Sequence, residues 1–348
     1  MSDVTLQDVA KLAGVSTATV SYVLNNKTKQ KISPDTRKKV IEAASSLKYT
    51  PNYFGKALRT KTSGTIGLIV PTFADPSMPV LIKGIESVAL KNKYSMLINE
   101  LDQSTEDKFE VLNLMINKSV DGIIWAYPNI TGEELQQFEL LNEVPVVLIG
   151  SLIEGLNVNS IIVDYVDAGE KISNYLMNFG HKDLVYIYSG ALTESKRKRI
   201  EGIQRTVKNK AVFKIKHKAI TDYTMETYDV REYNVGYELT KELVENNEKF
   251  TAILASNDLM AMGVINYLKQ HNILIPNDVS VVSFGGCFIS RIIEPAITVI
   301  RNPHFEIGEK AFNQLLKNIS DGSNNLNDNI VIFTEIVEGN TVAKAKNK

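Results

Sequence analysis

The N-terminal segment carries apolar residues at helical spacing in two short stretches separated by Gly14. Their three- and four-residue intervals predict an amphipathic helix in each stretch. Thr5, with Asp8 three residues later, resembles a capping box at the start of the first helix, and Ser16 supplies an N-cap oxygen for the second. The apolar positions that these helices would bury are Leu6, Val9, Ala10, Ala13, Val20, Val23 and Leu24.

The second of these helices would leave small or hydrogen-bonding side chains on its outer face. Two helices joined by a short turn containing glycine form a helix-turn-helix, whose second helix can enter the major groove of DNA. A generic pair of antiparallel helices would show the same periodicity, so the pattern alone leaves both interpretations open. The outward residues are Thr17, Ala18, Ser21, Tyr22 and Asn25.

A third helix and the distribution of charge favour DNA binding. Ser33 and Pro34 mark a helix start, and the apolar residues that follow would close a three-helix core. Residues 1–61 contain eleven Lys or Arg against four Asp or Glu, whereas the rest of the chain contains 28 basic and 36 acidic residues. A basic segment on an acidic chain suggests contact with a polyanion, because phosphate contacts release counterions.

From Thr65 onward, continuous apolar runs alternate with amphipathic helical patterns. Such runs predict the buried strands of parallel sheets covered by helices. A segment of about 280 residues exceeds a single core, so two doubly wound α/β subdomains are expected, with a boundary near Asp164. The predicted strands are 65–71, 94–100, 122–127, 144–150, 160–164, 184–190, 213–220, 251–257, 279–285 and 297–301.

Composition argues against several other classes of protein. The chain has 348 residues, 44% of them hydrophobic, and a single cysteine, which does not suit a disulfide scaffold. It shows neither a signal-peptide pattern nor a run of eighteen apolar residues, so a cytoplasmic protein is expected. With four scattered histidines and no phosphate-binding glycine loop, no catalytic residue, metal or cofactor is expected.

The N-terminal segment resembles the DNA-binding headpiece of the LacI/GalR family of bacterial transcription regulators. The run T-x-x-D-V-A-x-x-A-G-V-S-x-x-T-V-S-x-V-L-N stands without a gap from Thr5 to Asn25, and Y-x-P-N-x-x-x-x-x-L follows from Tyr49 to Leu58. The family's body resembles a periplasmic sugar-binding protein whose chain crosses three times between subdomains, here near Asp164, Ser290 and Asp321. The implied organisation is a helix-turn-helix headpiece (1–49), a hinge (50–61), an effector-binding and dimerisation domain (62–341) and a tail (342–348). Within the effector-binding domain, one subdomain would comprise residues 62–163 and 291–321, and the other would comprise residues 164–290 and 322–341.

The resemblance also assigns roles to the DNA-binding residues. It implies that Thr17, Ala18 and Tyr22 read bases, and that Ser16, Thr19, Ser21 and Asn25 contact phosphates. The hinge would become helical on operator DNA, where Leu58 wedges between base steps in the minor groove and Arg59 and Lys56 hold the DNA. A flexible linker is the alternative interpretation of residues 50–61.

Effector-binding candidates come from the carboxyl ends of the strands, where open α/β sheets bind ligands. The resemblance places Arg199, in the order R-x-x-G, in the effector cleft, and Asn257 and Asn302 at polar contact positions. Without the resemblance, Arg199 would be assigned to a solvated helix face, since it stands among several basic residues. The other candidates are Ser77, Asp258 and Trp125, of which Trp125 is expected to pack rather than to stack on a sugar.

The chain departs from the family pattern at the end of one strand. Sugar-responsive members usually carry an acidic residue there, whereas this chain has Gly285 followed by Gly286. Arg199 is therefore expected to face no neutralising acid, which favours an anionic or oxygen-rich ligand. The sequence leaves open whether Tyr223 or Arg231 faces the cleft.

Together these features predict a homodimeric repressor of a sugar-utilisation or related metabolic operon. Its affinity for double-stranded operator DNA would be set by a sugar, a sugar phosphate or another anionic metabolite in the cleft. A phosphoprotein or purine co-repressor is an alternative. A solute-binding protein or an enzyme on the same α/β body is the alternative from a different class. The C-terminus carries no heptad repeat, so nothing supports assembly beyond a dimer.

Overall fold

A computed structural model describes residues 4–24, 32–49, 62–101, 108–127, 144–150, 158–220, 227–321 and 328–346. The chain divides into two compact units, Met1–Ser63 and Gly64–Lys348. Among the described residues, no helix combines the length and the apolar character needed to cross a membrane.

The first unit contains three helices, α1 (Leu6–Ala13), α2 (Thr17–Leu24) and α3 (Pro34–Ser46). Thr5 and Asp8 form the predicted capping box, and Gly14 ends α1 with a φ of 67°. That left-handed conformation suits glycine, which lacks a Cβ. The Thr19 amide donates to Ser16 Oγ at 3.1 Å, so Ser16 caps α2. The predicted helix-turn-helix is confirmed, with a core formed by Val9, Ala10, Val20, Val23, Val40, Ala43 and Ala44.

The second unit contains two six-stranded sheets. In chain order the strands are β1 (Thr65–Val70), β2 (Ser95–Glu100), β3 (Ile123–Ala126), β4 (Val146–Gly150), β5 (Asn159–Val163), β6 (Asp183–Ser189), β7 (Val212–Lys218), β8 (Ala252–Ala255), β9 (Ser280–Gly285), β10 (Thr298–Arg301), β11 (Ile330–Ile332) and β12 (Glu335–Val337). The first sheet has the order β11-β5-β4-β3-β1-β2, and the second has the order β12-β10-β9-β8-β6-β7. All ten predicted strands are present.

Helices cover both sheets. They are α4 (Met78–Lys91), α5 (Lys108–Asn117), α6 (Tyr165–Asn178), α7 (Glu194–Val207), α8 (Tyr228–Glu245), α9 (Asp258–Gln270), α10 (Ile289–Ile292) and α11 (His304–Asp321). The predicted pair of doubly wound α/β subdomains is confirmed, and each subdomain buries one apolar cluster on either face of its sheet.

Two details of the predicted body need correction. The second sheet is not wholly parallel, because β12 pairs antiparallel with β10. The later crossings also lie further along the chain than the positions predicted near Ser290 and Asp321. Since β10 pairs with β9, and β11 pairs with β5, the chain crosses at residues 302–303 and again at 333–334. The first crossing lies at Asp164, whose amide donates to Ile332 O at 3.0 Å.

Three pairs of helices pack with their backbones in close approach. A Cβ added at Gly84 of α4 would lie 2.1 Å from Phe305 O of α11, and one at Gly202 of α7 would lie 2.1 Å from Val166 O of α6. Glycine allows this approach because it has no side chain to separate the helices. Gly236 of α8 and Gly263 of α9 form the third such pair.

The C-terminal segment packs onto the second subdomain. The Val281 amide donates to Thr341 O at 2.9 Å, and the Ala345 amide donates to Phe179 O at 2.8 Å. Lys346 Nζ lies 2.6 Å from Asp278 Oδ1. The part of the predicted tail that the structure describes, residues 342–346, is therefore attached to the α/β body.

Candidate functional sites

The outer face of α2 offers a polar surface in the first unit. Ser16, Thr17 and Ala18 are exposed at its start. The other candidates in the described part of the headpiece, Thr19, Ser21 and Tyr22, are half-buried. Small hydroxyl-bearing side chains at a helix N-terminus suit contacts with phosphates and base edges. The remaining DNA-binding candidates, Asn25, Lys56, Leu58 and Arg59, lie outside the described residues.

A cavity of about 1160 Å³ lies in the second unit at the carboxyl ends of strands from both sheets. It brings together all six of the predicted effector-binding residues. Arg231 also lines the cavity, whereas Tyr223 lies outside the described residues. The six candidates on its wall are Ser77, Trp125, Arg199, Asn257, Asp258 and Asn302.

Seven of the described helices begin at a residue that lines this cavity. Helix N-termini carry unsatisfied amide groups and partial positive charge, so their convergence favours electron-rich ligand groups. Thr193 before α7 and Thr227 before α8 make no side-chain cap, which leaves those amides without a side-chain acceptor from the capping residue. The first residues of the seven helices are Met78, Lys108, Tyr165, Glu194, Tyr228, Asp258 and His304.

Arg199 is buried at the cavity wall rather than solvated. The residue is 8% exposed. Its guanidinium carbon lies 5.0 Å from the ring centroid of Tyr165 and 4.7 Å from that of Phe284. Nη1 donates to Ser256 O at 3.0 Å, whereas the buried Nε has no hydrogen-bond partner. The interpretation of Arg199 as part of a solvated helix face is therefore wrong.

Two acids that the sequence did not single out share the cavity with Arg199. Glu232 is 3% exposed, and its carboxylate accepts from Ser189 Oγ and, at 2.6 Å, from Asn257 Nδ2. Asp75 Oδ1 accepts from the amide and the hydroxyl of Ser77, at 2.8 and 2.7 Å. Among the described residues, neither acid forms an ion pair with Arg199. The cavity is thus not free of acids, although Arg199 has no carboxylate partner in this part of the chain.

Asp258 explains why the strand-end acid is absent. Its Oδ2 accepts from the amides of Gly286 and Cys287, at 2.9 and 2.8 Å, and its Oδ1 accepts from Ser283 Oγ. A Cβ at Gly285 would lie 2.7 Å from Asp258 Oδ1, so the carboxylate fills the space that a side chain at 285 needs. Asp258 lines the cavity, but its oxygens already hold the loop after β9.

The other candidates differ in what their polar groups already contact. Asn257 uses both ends of its amide, since Oδ1 accepts from the Met260 amide at 2.8 Å and Nδ2 donates to Glu232. Trp125 is 2% exposed and packs in an apolar core of the first subdomain. Asn302 is half-buried. Arg199 therefore combines a place in the cavity lining with a buried Nε that has no hydrogen-bond partner.

Two further titratable groups occupy this cavity. Burial lowers the pKa of Lys196 to about 8, and its Nζ donates to Ser189 O at 2.6 Å. Burial lowers the pKa of His304 to about 4, and its Nδ1 lies 3.3 Å from Tyr127 Oη. The His304 ring is therefore neutral at pH 7. No group of His, Cys, Asp and Glu in the described ranges is arranged to hold a metal ion.

Comparison with known proteins places both units. Residues 5–52 match the lacI family of bacterial regulatory proteins, and residues 173–342 match a periplasmic binding protein-like domain. The chain is 34% identical over 319 residues to catabolite control protein A of Priestia megaterium, covering 90% of this chain and 92% of that protein. It is 32% identical over 317 residues to the transcriptional regulator RegA of Clostridium saccharobutylicum, covering 90% and 91%.

A solved structure shows the same fold. The lac repressor dimer bound to operator and the anti-inducer ONPF aligns with a TM-score of 0.81 at 24% identity, covering 98% of this chain and 100% of that one. The helix-turn-helix and the two α/β subdomains are the architecture of this family. The relatives that match over nine-tenths of the chain point to the same family. This chain belongs to the LacI family of bacterial transcription regulators.

Proposed function

We propose that this protein is a homodimeric cytoplasmic repressor that binds operator DNA through α2 and the hinge and responds to a ligand in the cavity. The observation that carries the ligand site is Arg199, a buried guanidinium with an unsatisfied Nε in a cavity lined by both subdomains. The family and its relatives support the DNA-binding role.

The surroundings of Arg199 favour a ligand rich in oxygen. A buried charge is costly unless it is paired and hydrogen-bonded, and no described carboxylate lies within ion-pair distance of this guanidinium. The planar group presents a fork of donors that matches a carboxylate or a phosphate. The seven helix N-termini add positive potential to the same cavity. An anionic metabolite, such as a sugar phosphate, satisfies these groups better than an apolar one.

Regulation follows from the position of the cavity at the edges of both sheets. A ligand that touches both subdomains favours the arrangement in which its contacts are best, and it shifts the equilibrium by its difference in affinity for the two arrangements. Operator affinity then changes by the same coupling free energy. A phosphoprotein or purine co-repressor would instead favour the DNA-binding arrangement, and so it would raise the affinity for the operator.

The test of the ligand site uses Arg199→Ala in the full-length chain. Its operator affinity, measured by fluorescence anisotropy, should equal that of the wild type, while the change produced by sugars, sugar phosphates or purines should be lost. Arg205→Ala is the matched control, because Arg205 lies on the same helix and pairs with Glu201 at the surface. A response that survives in Arg199→Ala would contradict the assignment.

The test of the DNA surface separates base reading from general affinity. Tyr22→Ala should change the rank order of operator variants, because base contacts carry the specificity. Lys56→Gln, in the hinge, should instead weaken all sequences alike. An equal loss for every sequence in Tyr22→Ala would show that Tyr22 does not read bases.

A further inference from the structure

The two walls of the cavity carry opposite net charge. From the first subdomain, one base, Lys108, and two acids, Asp75 and Glu100, line it. The second subdomain contributes five bases and three acids. These are Lys196, Arg197, Lys198, Arg199 and Arg231, with Glu194, Glu232 and Asp258. The described lining is therefore nearly balanced in total but polarised from one wall to the other.

Asp75 is the acid of the first wall that has an oxygen available to a ligand. It lies in the loop after β1 and is half-buried. The amide and the hydroxyl of Ser77 donate to its Oδ1, whereas Oδ2 has no hydrogen bond or ion pair in the described part of the chain. Glu100, the other acid of this wall, already accepts from the Phe73 amide at 2.9 Å. Asp75 thus offers a carboxylate oxygen to a donor in the cavity.

Asp75 and Arg199 act on the same space from opposite walls. Burial raises the pKa of both Tyr127 and Tyr228, and in both the Asp75 carboxylate adds to the rise while Arg199 opposes it. Tyr127 follows β3 in the first subdomain, and Tyr228 begins α8 in the second. Both rings line the cavity together with Asp75 and Arg199, so the two charges face the same cavity from its two walls.

We propose that the ligand is a small zwitterion, an amino acid or a short peptide, with its ammonium group against Asp75 and its carboxylate against Arg199. The inference rests on the proposed function of the cavity. A neutral sugar would leave both charges without a counterion, and a purely anionic ligand on Arg199 would leave Asp75 without one. A zwitterion pairs both poles with charge-assisted hydrogen bonds. The ring of Tyr127, on the same wall as Asp75, suits an ammonium group, whereas the Tyr228 ring already lies 5.7 Å from the Arg231 guanidinium carbon.

Calorimetry on the full-length protein tests the proposal with the twenty amino acids, alanyl-alanine and trialanine. For each compound that binds, the matched carboxylate without the amino group and the matched carboxamide are measured as well. We expect the zwitterion to bind at least tenfold more tightly than either analogue. Asp75→Asn should weaken the zwitterion at least tenfold and leave the affinity of the carboxylate analogue unchanged. Asn retains the Oδ1 that accepts from Ser77.

Glu86→Gln is the matched control, since it removes an exposed charge from the same subdomain at a residue that does not line the cavity, and it should keep the zwitterion's affinity. Binding of a sugar phosphate that depends on Arg199, with no zwitterion bound, would overturn this inference and leave the proposed function intact. Binding of zwitterions unaffected by Asp75→Asn would also overturn it. Failure of every metabolite, zwitterions included, to change operator affinity would count against the proposed function itself.

Discussion

His304 is an uncharged histidine at the start of α11 that is 8% exposed. Burial is the main reason why its pKa falls to about 4, with Arg199 lowering it further and Asp75 raising it. The cavity therefore contains a neutral imidazole whose protonation would place a second buried cation in the field of Arg199. The free energy of unfolding of the α/β body should therefore depend on pH through the charge of His304.

Acid should destabilise the α/β body through His304. An unfolded histidine binds a proton near pH 6.5 and the folded one near pH 4, so the unfolded state binds more protons between these values. The contribution is present above pH 6.5 and is lost as the pH falls toward 4, by roughly 2 kcal/mol at pH 5. Urea unfolding from pH 7.5 to 4.5 should show a shallower decline in His304→Asn. Tyr94→Phe, which keeps a ring against Phe312 in the same core, should retain the wild-type slope; equal slopes in all three would refute the role of His304.

Gly285 should be intolerant of a side chain because of one neighbour. Gly285→Ala places a Cβ within 2.7 Å of Asp258 Oδ1, so overpacking should lower the free energy of unfolding by about 1–3 kcal/mol. In an Asp258→Ala background the same change should cost less than about 0.5 kcal/mol, because the clash is gone. Urea denaturation of the four proteins measures this cycle, and additive costs would contradict the steric explanation.

The residues of the site differ in how visible they are in the sequence. Arg199 stands in the order R-x-x-G and Asn302 directly follows the predicted strand 297–301, and both line the cavity. Glu232 lies one turn into α8 rather than at a strand end, so only the packing of α8 brings its carboxylate to Asn257. The engagement of Asp258 with Gly286 and Cys287 depends on a loop geometry that spacing does not encode.

At the scale of the element, apolar runs identified strands wherever both faces are buried. β1, β4 and β8 are nearly continuous in buried residues, which is what a parallel sheet between helix layers requires. β11 and β12 were not predicted, because each has only three residues and a mixed burial pattern. These two short strands decide the last crossing, at 333–334, whereas the crossing at 302–303 depends on the pairing of β10 with β9, which the sequence does not reveal.

The close packing of α7 against α6 leaves no room for a side chain at Gly202. Gly202→Ala would insert a methyl group between α7 and α6, 2.1 Å from Val166 O, and should destabilise the body by at least about 2 kcal/mol. Alanine's better helix propensity offsets only about 1 kcal/mol of that cost. Urea midpoints provide the measurement, with Gln204→Ala on the exposed face of the same helix as the control. A stabilised Gly202→Ala would show that the two helices separate easily.

At the scale of the whole molecule, the charge asymmetry predicts how DNA binding responds to salt. Residues 1–61 carry eleven basic residues against four acidic ones. Operator affinity of the full-length protein should therefore fall steeply between 50 and 200 mM salt, with a log–log slope of about −0.9 for each phosphate neutralised. Lys56→Gln should make that slope about one unit shallower. A flat salt profile would contradict electrostatic binding by the headpiece.

The three crossings between the sheets also set an order of synthesis. The first sheet begins with β1, yet its last strand, β11, and the helix α11 that fills its core with Ile307, Phe312 and Leu315 follow β10 of the second sheet. The first subdomain therefore cannot be completed on the ribosome until nearly all of the second has emerged. Any nascent chain that stops before residue 304 exposes an unfinished apolar face, however well its earlier part has folded.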